Sequence, residues 1–199
     1  MYARKVVMLS VITLTLFMAP FFASTAFAQT PGISISPPTQ DVAIGGTVTA
    51  SINVTDMAAP GLYSYQFDVY YNNTLLNGTD VELPTGHFLT PSSPSNIFSL
   101  GPAINQTLGQ ISFVVSMLGA EDGKTGSGTL ATMTFTGLAV GTANLTIQNV
   151  ILVYADGTQP DPTSSFGLIH VIPEFSLIAL MAAFGVMSAA AVKMKKKLK

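Results

Sequence analysis

The segment "GAEDGKT" at residues 119–125 contains the residue types of a loop that binds nucleotide phosphates. Such a loop needs four residues between its first glycine and the Gly-Lys-Thr, so that successive backbone N–H groups surround the anion. Only three residues separate Gly119 from Gly123, and two of them are the carboxylates Glu121 and Asp122. The "TLATMTFTG" that follows alternates with a period of two, which is typical of a strand. We therefore interpret the segment as a glycine-rich hairpin that feeds a strand.

Residues that could perform catalysis are scarce. The chain has no cysteine, no Gly-x-Ser-x-Gly elbow, and two histidines, His87 and His170, without zinc-motif spacing. Carboxylates from distant strands could still form a glycosidase pair, which remains the open catalytic alternative. We expect no catalytic residues and no enzyme activity.

Calcium is the one ion that the sequence leaves open. Hard oxygen ligands suit this ion, although neither acidic loop has the spacing of an EF-hand. The acidic loop residues are Glu121, Asp122, Asp156 and Asp161. We expect no metal site and no cofactor, with calcium as the alternative.

The charge is distributed unevenly along the chain. Between the two terminal segments lie nine of the ten Asp and Glu, all except Glu174, but only one cation, Lys124. This leaves roughly eight net negative charges on the central part, which argues against nucleic acid as a partner because phosphate contacts need a basic face.

Both ends of the chain have the composition of membrane-targeting segments. Residues 1–28 combine a basic start, a long apolar run and an Ala-x-Ala site, which predicts a cleaved signal helix, with an uncleaved anchor as the alternative. In residues 173–199, the stretch 175–192 is uncharged and five lysines follow, which predicts a transmembrane helix and a basic cytoplasmic tail. The intervening domain, residues 29–172, would then be extracellular and anchored at the cell surface.

The C-terminal segment also resembles archaeal sorting signals in which a Pro-Glu-Phe motif precedes an apolar helix. The matching residues are Pro173, Glu174, Phe175 and Ser176. The resemblance implies cleavage by a membrane transpeptidase that replaces the helix with a lipid, and a permanent helix is the alternative.

Five Asn-x-Ser/Thr sequons lie in the central part of the chain, at Asn53, Asn72, Asn77, Asn105 and Asn144. Outside the cytoplasm each is a candidate for glycosylation, and a glycan requires a surface position. We expect two or three of them to be used.

The central domain has the rhythm of an all-β protein. Turn residues recur every 8 to 12 positions between runs rich in Val, Ile, Phe, Tyr and Thr, which favours an antiparallel sandwich or barrel. The clearest strands are "TVTASINVT", "LYSYQFDVYYN", "GQISFVVSML", "GTLATMTFTGL" and "TANLTIQNVILVY". Alternation in the second of these predicts a buried aromatic face and a solvated face that carries Ser64, Gln66, Asp68 and Tyr70.

The order of these strands, the turn from Tyr71 to Leu75, and the Gly-Thr-Leu-Ala strand followed by Gly141–Ala143 resemble the cohesin domain. The resemblance spans residues 34–171 and implies a jelly-roll-like β-sandwich of about nine strands. It also implies binding without catalysis, because cohesins hold calcium-binding dockerin modules on one face of the sandwich. The positions matching their partner contacts are Ser64 and Gln66, where an acidic residue is often found in place of Gln66.

Three functions therefore remain for the domain. The leading hypothesis is a surface-anchored module that binds a dockerin-like protein through Ser64, Gln66, Asp68 and Tyr70. The alternative is a polysaccharide-binding module that presents Tyr70 or Tyr154. The third is a passive, glycosylated component of the cell envelope.

Overall fold

The computed structural model describes residues 30–174, which form ten β-strands and no helix. The strands are β1 Gly32–Ser36, β2 Thr39–Ala43, β3 Thr47–Tyr70, β4 Leu76–Glu82, β5 Ile97–Asn105, β6 Gln110–Met117, β7 Lys124–Gly137, β8 Gly141–Tyr154, β9 Thr163–Ser164 and β10 Gly167–Ile172.

The long strand β3 belongs to two sheets. Its first half, residues 47–55, pairs with β1 and β7, whereas its second half, residues 62–70, pairs with β6 and β8. Sheet 1 therefore has the order β9-β1-β3-β7-β4, and sheet 2 has the order β5-β6-β3-β8-β10-β2. The two sheets are the layers of a β-sandwich.

The passage of β3 from one sheet to the other depends on its local backbone. The register against β7 shifts between Val54 and Leu62, and Gly61 adopts φ +90°, a conformation that costs glycine little. A Cβ built on Gly61 would lie 2.4 Å from the carbonyl carbon of Gly123. Only glycine therefore allows the bend of β3 and the backbone at Gly123 to approach this closely.

The core lies between the inner faces of the two sheets. Alternate residues of β6 are buried, and Phe113 on this strand packs against Tyr65 and Phe67 of β3 with ring centroids 6.3–6.4 Å apart. The Tyr65 hydroxyl donates to the carbonyl of Leu130 at 2.8 Å, and burial raises the pKa of this tyrosine. Each such aromatic contributes on the order of 2–3 kcal/mol by burial.

The predicted sandwich and all five of the clearest predicted strands are confirmed. Two details were wrong. The sheets are not wholly antiparallel, because β1 pairs with β9 and β2 pairs with β10 in parallel. The strands predicted at residues 47–55 and 62–72 are also one continuous strand, because the chain bends at residues 56–61 without leaving β geometry.

The glycine-rich segment at residues 123–128 is not a hairpin, contrary to prediction. It begins β7 itself, and β6 and β7 do not pair because they lie in different sheets. Residues 118–123 therefore cross from sheet 2 to sheet 1, and Lys124 pairs with Leu62 at the bend of β3.

The predicted signal peptide and most of the predicted C-terminal anchor lie outside the described residues, so both remain predictions. Of the predicted sorting motif, Pro173 and Glu174 are exposed at the end of the described chain, while Phe175 and Ser176 fall beyond it. Within residues 30–174 there is no helix of the length and apolarity that crossing a bilayer requires.

Candidate functional site

The outer face of sheet 2 is assembled from four neighbouring strands in register. Residues that stand directly opposite one another on adjacent strands share a face, so the pairing defines rows of side chains across β5, β6, β3 and β8. The first row is Phe98, Ser116, Ser64 and Val153, and the second is Leu100, Val114, Gln66 and Ile151. The third row is Ala103, Ser112, Asp68 and Gln148.

Three of the four ends of the first two rows are exposed apolar side chains. Phe98 is 50% exposed, Leu100 is 62% exposed and Ile151 is 41% exposed. Between them lie the partly buried hydroxyl of Ser64 and amide of Gln66. We name the first two rows the sheet 2 face. An apolar surface with a few central polar groups is suited to binding another protein.

The four predicted contact residues do lie together on this side of the sandwich, but they are less solvated than predicted. Ser64, Gln66 and Tyr70 are half-buried, and Asp68 is only 7% exposed. The reason is that the second half of β3 is a central strand, with the side chains of β6 and β8 packed on either side of it. The prediction that Asp68 belongs to a solvated face was therefore wrong.

Asp68 is held by a polar contact within the sheet. Asn149 Nδ2 donates to Asp68 Oδ2 at 2.6 Å. Asn149 has φ +50° and lies where β8 shifts register against β3 between Gln66 and Asp68. A β-bulge with asparagine in the left-handed region re-aims a side chain, and here it brings the amide to the buried carboxylate.

The sequence interpretation missed β5, which supplies the two most exposed apolar residues of the sheet 2 face. Its sequence "IFSLGPAIN" has no clear period and contains Gly101-Pro102, where the register against β6 shifts. One signal could have found it: the turn residues 105–109 directly precede the clear strand β6, which indicates a hairpin partner upstream.

Glu121 forms hydrogen bonds that join two loop segments next to β5 and β6. Its carboxylate accepts hydrogen bonds from the backbone N–H of Ser92 at 3.0 Å, from the Ser92 hydroxyl and from Asn96 Nδ2 at 2.6 Å. The hydrogen bonds from Ser92 and Asn96 lower the pKa of Glu121 to about 2. This contact ties the segment before β5 to the crossing that follows β6.

The residues considered for calcium are not brought together as a metal site. Within residues 30–174, no group of three or more His, Asp or Glu side chains is arranged to hold a metal ion. Asp156 instead accepts hydrogen bonds from the side chain and the backbone N–H of Thr158, which lower its pKa. Of the histidines, His170 Nδ1 contacts the Thr142 hydroxyl at 2.9 Å.

The five sequons lie away from the sheet 2 face. Asn53 and Asn77 are half-buried on the outer side of sheet 1, and Thr129 donates to Asn53 Oδ1 at 2.9 Å. Asn72, Asn105 and Asn144 are exposed, and they lie outside the two rows that form the sheet 2 face. Glycans at these positions would therefore leave the centre of the face uncovered.

Tyr70 lies beyond the same rows, beside an open hollow of about 300 Å³. Its other lining residues are Tyr71, Asn72, Thr142, Asn144 and Thr146. Tyr154, the other aromatic predicted for sugar binding, instead packs partly buried against the core.

The model of the cohesin domain matches residues 33–165, which is more than half of the chain. The chain belongs to the cohesin family. A search of curated proteins finds no significant match.

Solved cohesin structures share this fold at low sequence identity. A non-cellulosomal cohesin from the hyperthermophilic archaeon Archaeoglobus fulgidus superposes with a TM-score of 0.55 at 16% identity, covering 72% of this chain and 92% of that one. The seventh ScaB type I cohesin from Pseudobacteroides cellulosolvens gives 0.59 at 20% identity, with 74% and 96% covered. The cohesin of the Coh-OlpA–Doc918 cohesin–dockerin complex from Clostridium thermocellum gives 0.58 at 13% identity, with 72% and 100% covered.

Proposed function

We propose that this cohesin is a non-catalytic module that binds a dockerin-like protein through the sheet 2 face. The observation that carries the proposal is the arrangement of Phe98, Leu100 and Ile151, three exposed apolar side chains at the ends of two adjacent rows. A soluble domain exposes few such groups together unless they are covered by a partner.

The polar residues between these apolar ends would set orientation and specificity. The Ser64 hydroxyl already donates to the carbonyl of Val115 at 3.0 Å, which leaves its oxygen able to accept from a partner. The Gln66 amide stands between Val114 and Ile151 and offers both a donor and an acceptor. A partner helix with an apolar stripe and a few polar groups would match this pattern.

Solved complexes support the choice of partner. Several of the similar structures are cohesins crystallised with dockerins, including a complex of a cohesin with the dockerin CaDoc0917 and the sixth cohesin of Acetivibrio cellulolyticus scaffoldin B with a Cel5 dockerin. Their identity to this chain is 17% and 14%, so what they share with it is the fold.

The test is calorimetric titration of the purified full chain with a panel of recombinant dockerin modules, in calcium and in chelator. The double variant F98D/L100D places two charges in the apolar rows and should abolish binding. The matched variant T49D/T134D places two charges on the outer face of sheet 1 and should bind like the wild type. Equal binding by both variants would refute the assignment of the face, and a wild type that binds no dockerin would refute the class of partner.

We further propose that the module acts at the cell surface, anchored by its C-terminal segment. The support is the sequence pattern: an uncharged stretch at residues 175–192 followed by five lysines. Protease treatment of intact cells should degrade the domain while leaving the lysine-rich end protected. Recovery of the chain in the soluble cytoplasmic fraction would contradict this localisation.

Carbohydrate binding is the second candidate, favoured by the hollow beside Tyr70. An aromatic ring next to amide and hydroxyl groups can bind a sugar by stacking and hydrogen bonds. Retention on a polysaccharide that Tyr70→Ala abolishes and F98D/L100D leaves intact would establish this function. Retention unaffected by Tyr70→Ala would exclude the hollow as its site.

A further inference from the structure

Four exposed apolar residues lie at one corner of the sandwich, and none of them belongs to the sheet 2 face. Ile44 is 39% exposed, Leu138 is 47%, Val140 is 55% and Ile172 is 38%. We name these four residues the apolar corner.

Backbone contacts place the members of the apolar corner side by side. The N–H of Ile44 donates to the carbonyl of Ile172 at 3.1 Å, and Ile44 also forms a bridge with Gly137, next to Leu138. Val171 pairs with Gly141, so Val140 is the next residue in register opposite Ile172. Three separate chain segments therefore bring these four exposed apolar residues together at one corner.

The chain leaves the sandwich at this corner. Ile172 is the last residue of β10, and the uncharged stretch at residues 175–192 begins three positions later. Three extended residues span about 10 Å. If the uncharged stretch crosses a bilayer, the apolar corner must lie close to the bilayer surface.

Charge is concentrated at the opposite end of the molecule. The bend of β3, the crossing between β6 and β7, and the segment after β8 meet there, because Leu62 pairs with both Lys124 and Tyr154. These three segments carry five carboxylates: Asp56, Glu121, Asp122, Asp156 and Asp161. The two turns at the apolar corner, residues 44–46 and 137–141, contain no carboxylate. The nearest acidic residues along the chain are Asp41 and Glu174.

We propose that the apolar corner inserts into the headgroup region of the membrane that carries the C-terminal segment. Isolated apolar side chains at a membrane surface gain by burial among headgroups and acyl chains, while carboxylates are kept in water. The sandwich then stands with its acidic end outward. Because the second half of β3 runs from the acidic end toward the corner, the sheet 2 face points sideways and stays open to a partner. This inference rests on the proposed membrane anchor.

The absence of native cysteine makes the test direct. Full-length Val140→Cys and, as a control at the acidic end, Ala120→Cys are labelled with an environment-sensitive fluorophore and reconstituted into phosphatidylcholine vesicles. A fraction of the lipid carries a nitroxide on its headgroup. We expect a shift to shorter emission wavelength and strong nitroxide quenching at position 140, and neither effect at position 120. Adding Ile44→Ser and Leu138→Ser to the Val140→Cys protein should reduce the quenching.

The possible outcomes separate the corner from the anchor. Protein that floats with the vesicles but shows equal quenching at positions 120 and 140 overturns the corner contact and leaves the anchor standing. Protein that does not float overturns both. Energy transfer between differently labelled Val140→Cys copies, without headgroup quenching, would assign the corner to self-association and also overturn the proposal.

Discussion

The outer faces of the two sheets differ sharply in composition although both come from the same alternating strands. Sheet 1 presents hydroxyls in register: Thr47 opposite Thr136, Thr49 opposite Thr134, and Ser51 opposite Thr132. Sheet 2 presents Phe98, Leu100 and Ile151 at the ends of its first two rows. Threonine suits a pleated surface that faces water, whereas exposed Phe and Leu do not.

The fold depends on the inner faces of the two sheets and not on this difference between their outer faces. Both inner faces are filled with buried apolar side chains, so the sandwich would form with either type of outer face. Threonine on sheet 1 satisfies strand propensity without attracting a partner. The apolar groups Phe98, Leu100 and Ile151 on sheet 2 leave 41–62% of their surface exposed in the monomer, and this exposure is the reason for proposing a partner there.

The largest effect is expected where β3 connects the two faces. Gly61→Ala forces a left-handed alanine and places its Cβ against the backbone of Gly123, so it should lower the free energy of unfolding by about 3 kcal/mol. Gly157→Ala is the matched control, because its φ is +83° but nothing lies within 4 Å of the added Cβ. It should cost only about 1 kcal/mol. Urea denaturation measures the free energy of unfolding of both variants. Equal losses would show that the close approach of Gly61 to Gly123 does not add to the cost of the substitution.

Making sheet 2 resemble sheet 1 should remove binding and leave the fold intact. In the triple variant F98T/L100T/I151T, partner affinity should fall by about a hundredfold, which corresponds to roughly 3 kcal/mol. The free energy of unfolding should fall by no more than about 2 kcal/mol, because these side chains keep 41–62% of their surface exposed and threonine favours strands. Calorimetric titration with a dockerin that the wild type binds measures the affinity, and urea denaturation measures the free energy of unfolding. An affinity that survives the triple substitution would mean that the contrast between the faces has no role in recognition.

Asp68 tests how far the sheet 2 face depends on the polar contact beneath it. Asp68→Ala removes the acceptor of Asn149 and should destabilise the domain by about 2 kcal/mol, the usual value for a hydrogen bond to a charged group. Glu82→Ala, an exposed acidic residue of sheet 1, should change stability by less than about 0.5 kcal/mol. Thermal unfolding of both variants decides the matter, and equal melting temperatures would show that the contact contributes nothing.

The sequence predicted the sandwich well because alternation and turn residues report directly on strands with one buried face. It placed Ser64, Gln66, Asp68 and Tyr70 on one side of β3 for the same reason. It did not predict the burial of Asp68, which follows from the central position of β3 between β6 and β8. Nor did it predict the bulge that brings Asn149, eighty-one residues away along the chain, to the Asp68 carboxylate. Nor did it find Phe98 and Leu100, because β5 is an edge strand interrupted by Gly101-Pro102, and edge strands lack a regular pattern.

The smallest effect concerns the end of the sheet 2 face that Glu121 fastens. The pKa of Glu121 is about 2 in the folded chain, below its usual value, so its hydrogen bonds stabilise the fold fully above about pH 4.5. That contribution declines as the pH falls below about 4.5 and is lost as the pH falls through about 2, where the carboxylate becomes protonated in the folded state as well. Glu121→Gln should therefore be less stable than the wild type at pH 6, and the two unfolding curves should converge as the pH falls below about 2. A difference that stayed constant with pH would assign the loss to packing, and the edge of the face would then not depend on the charge of Glu121.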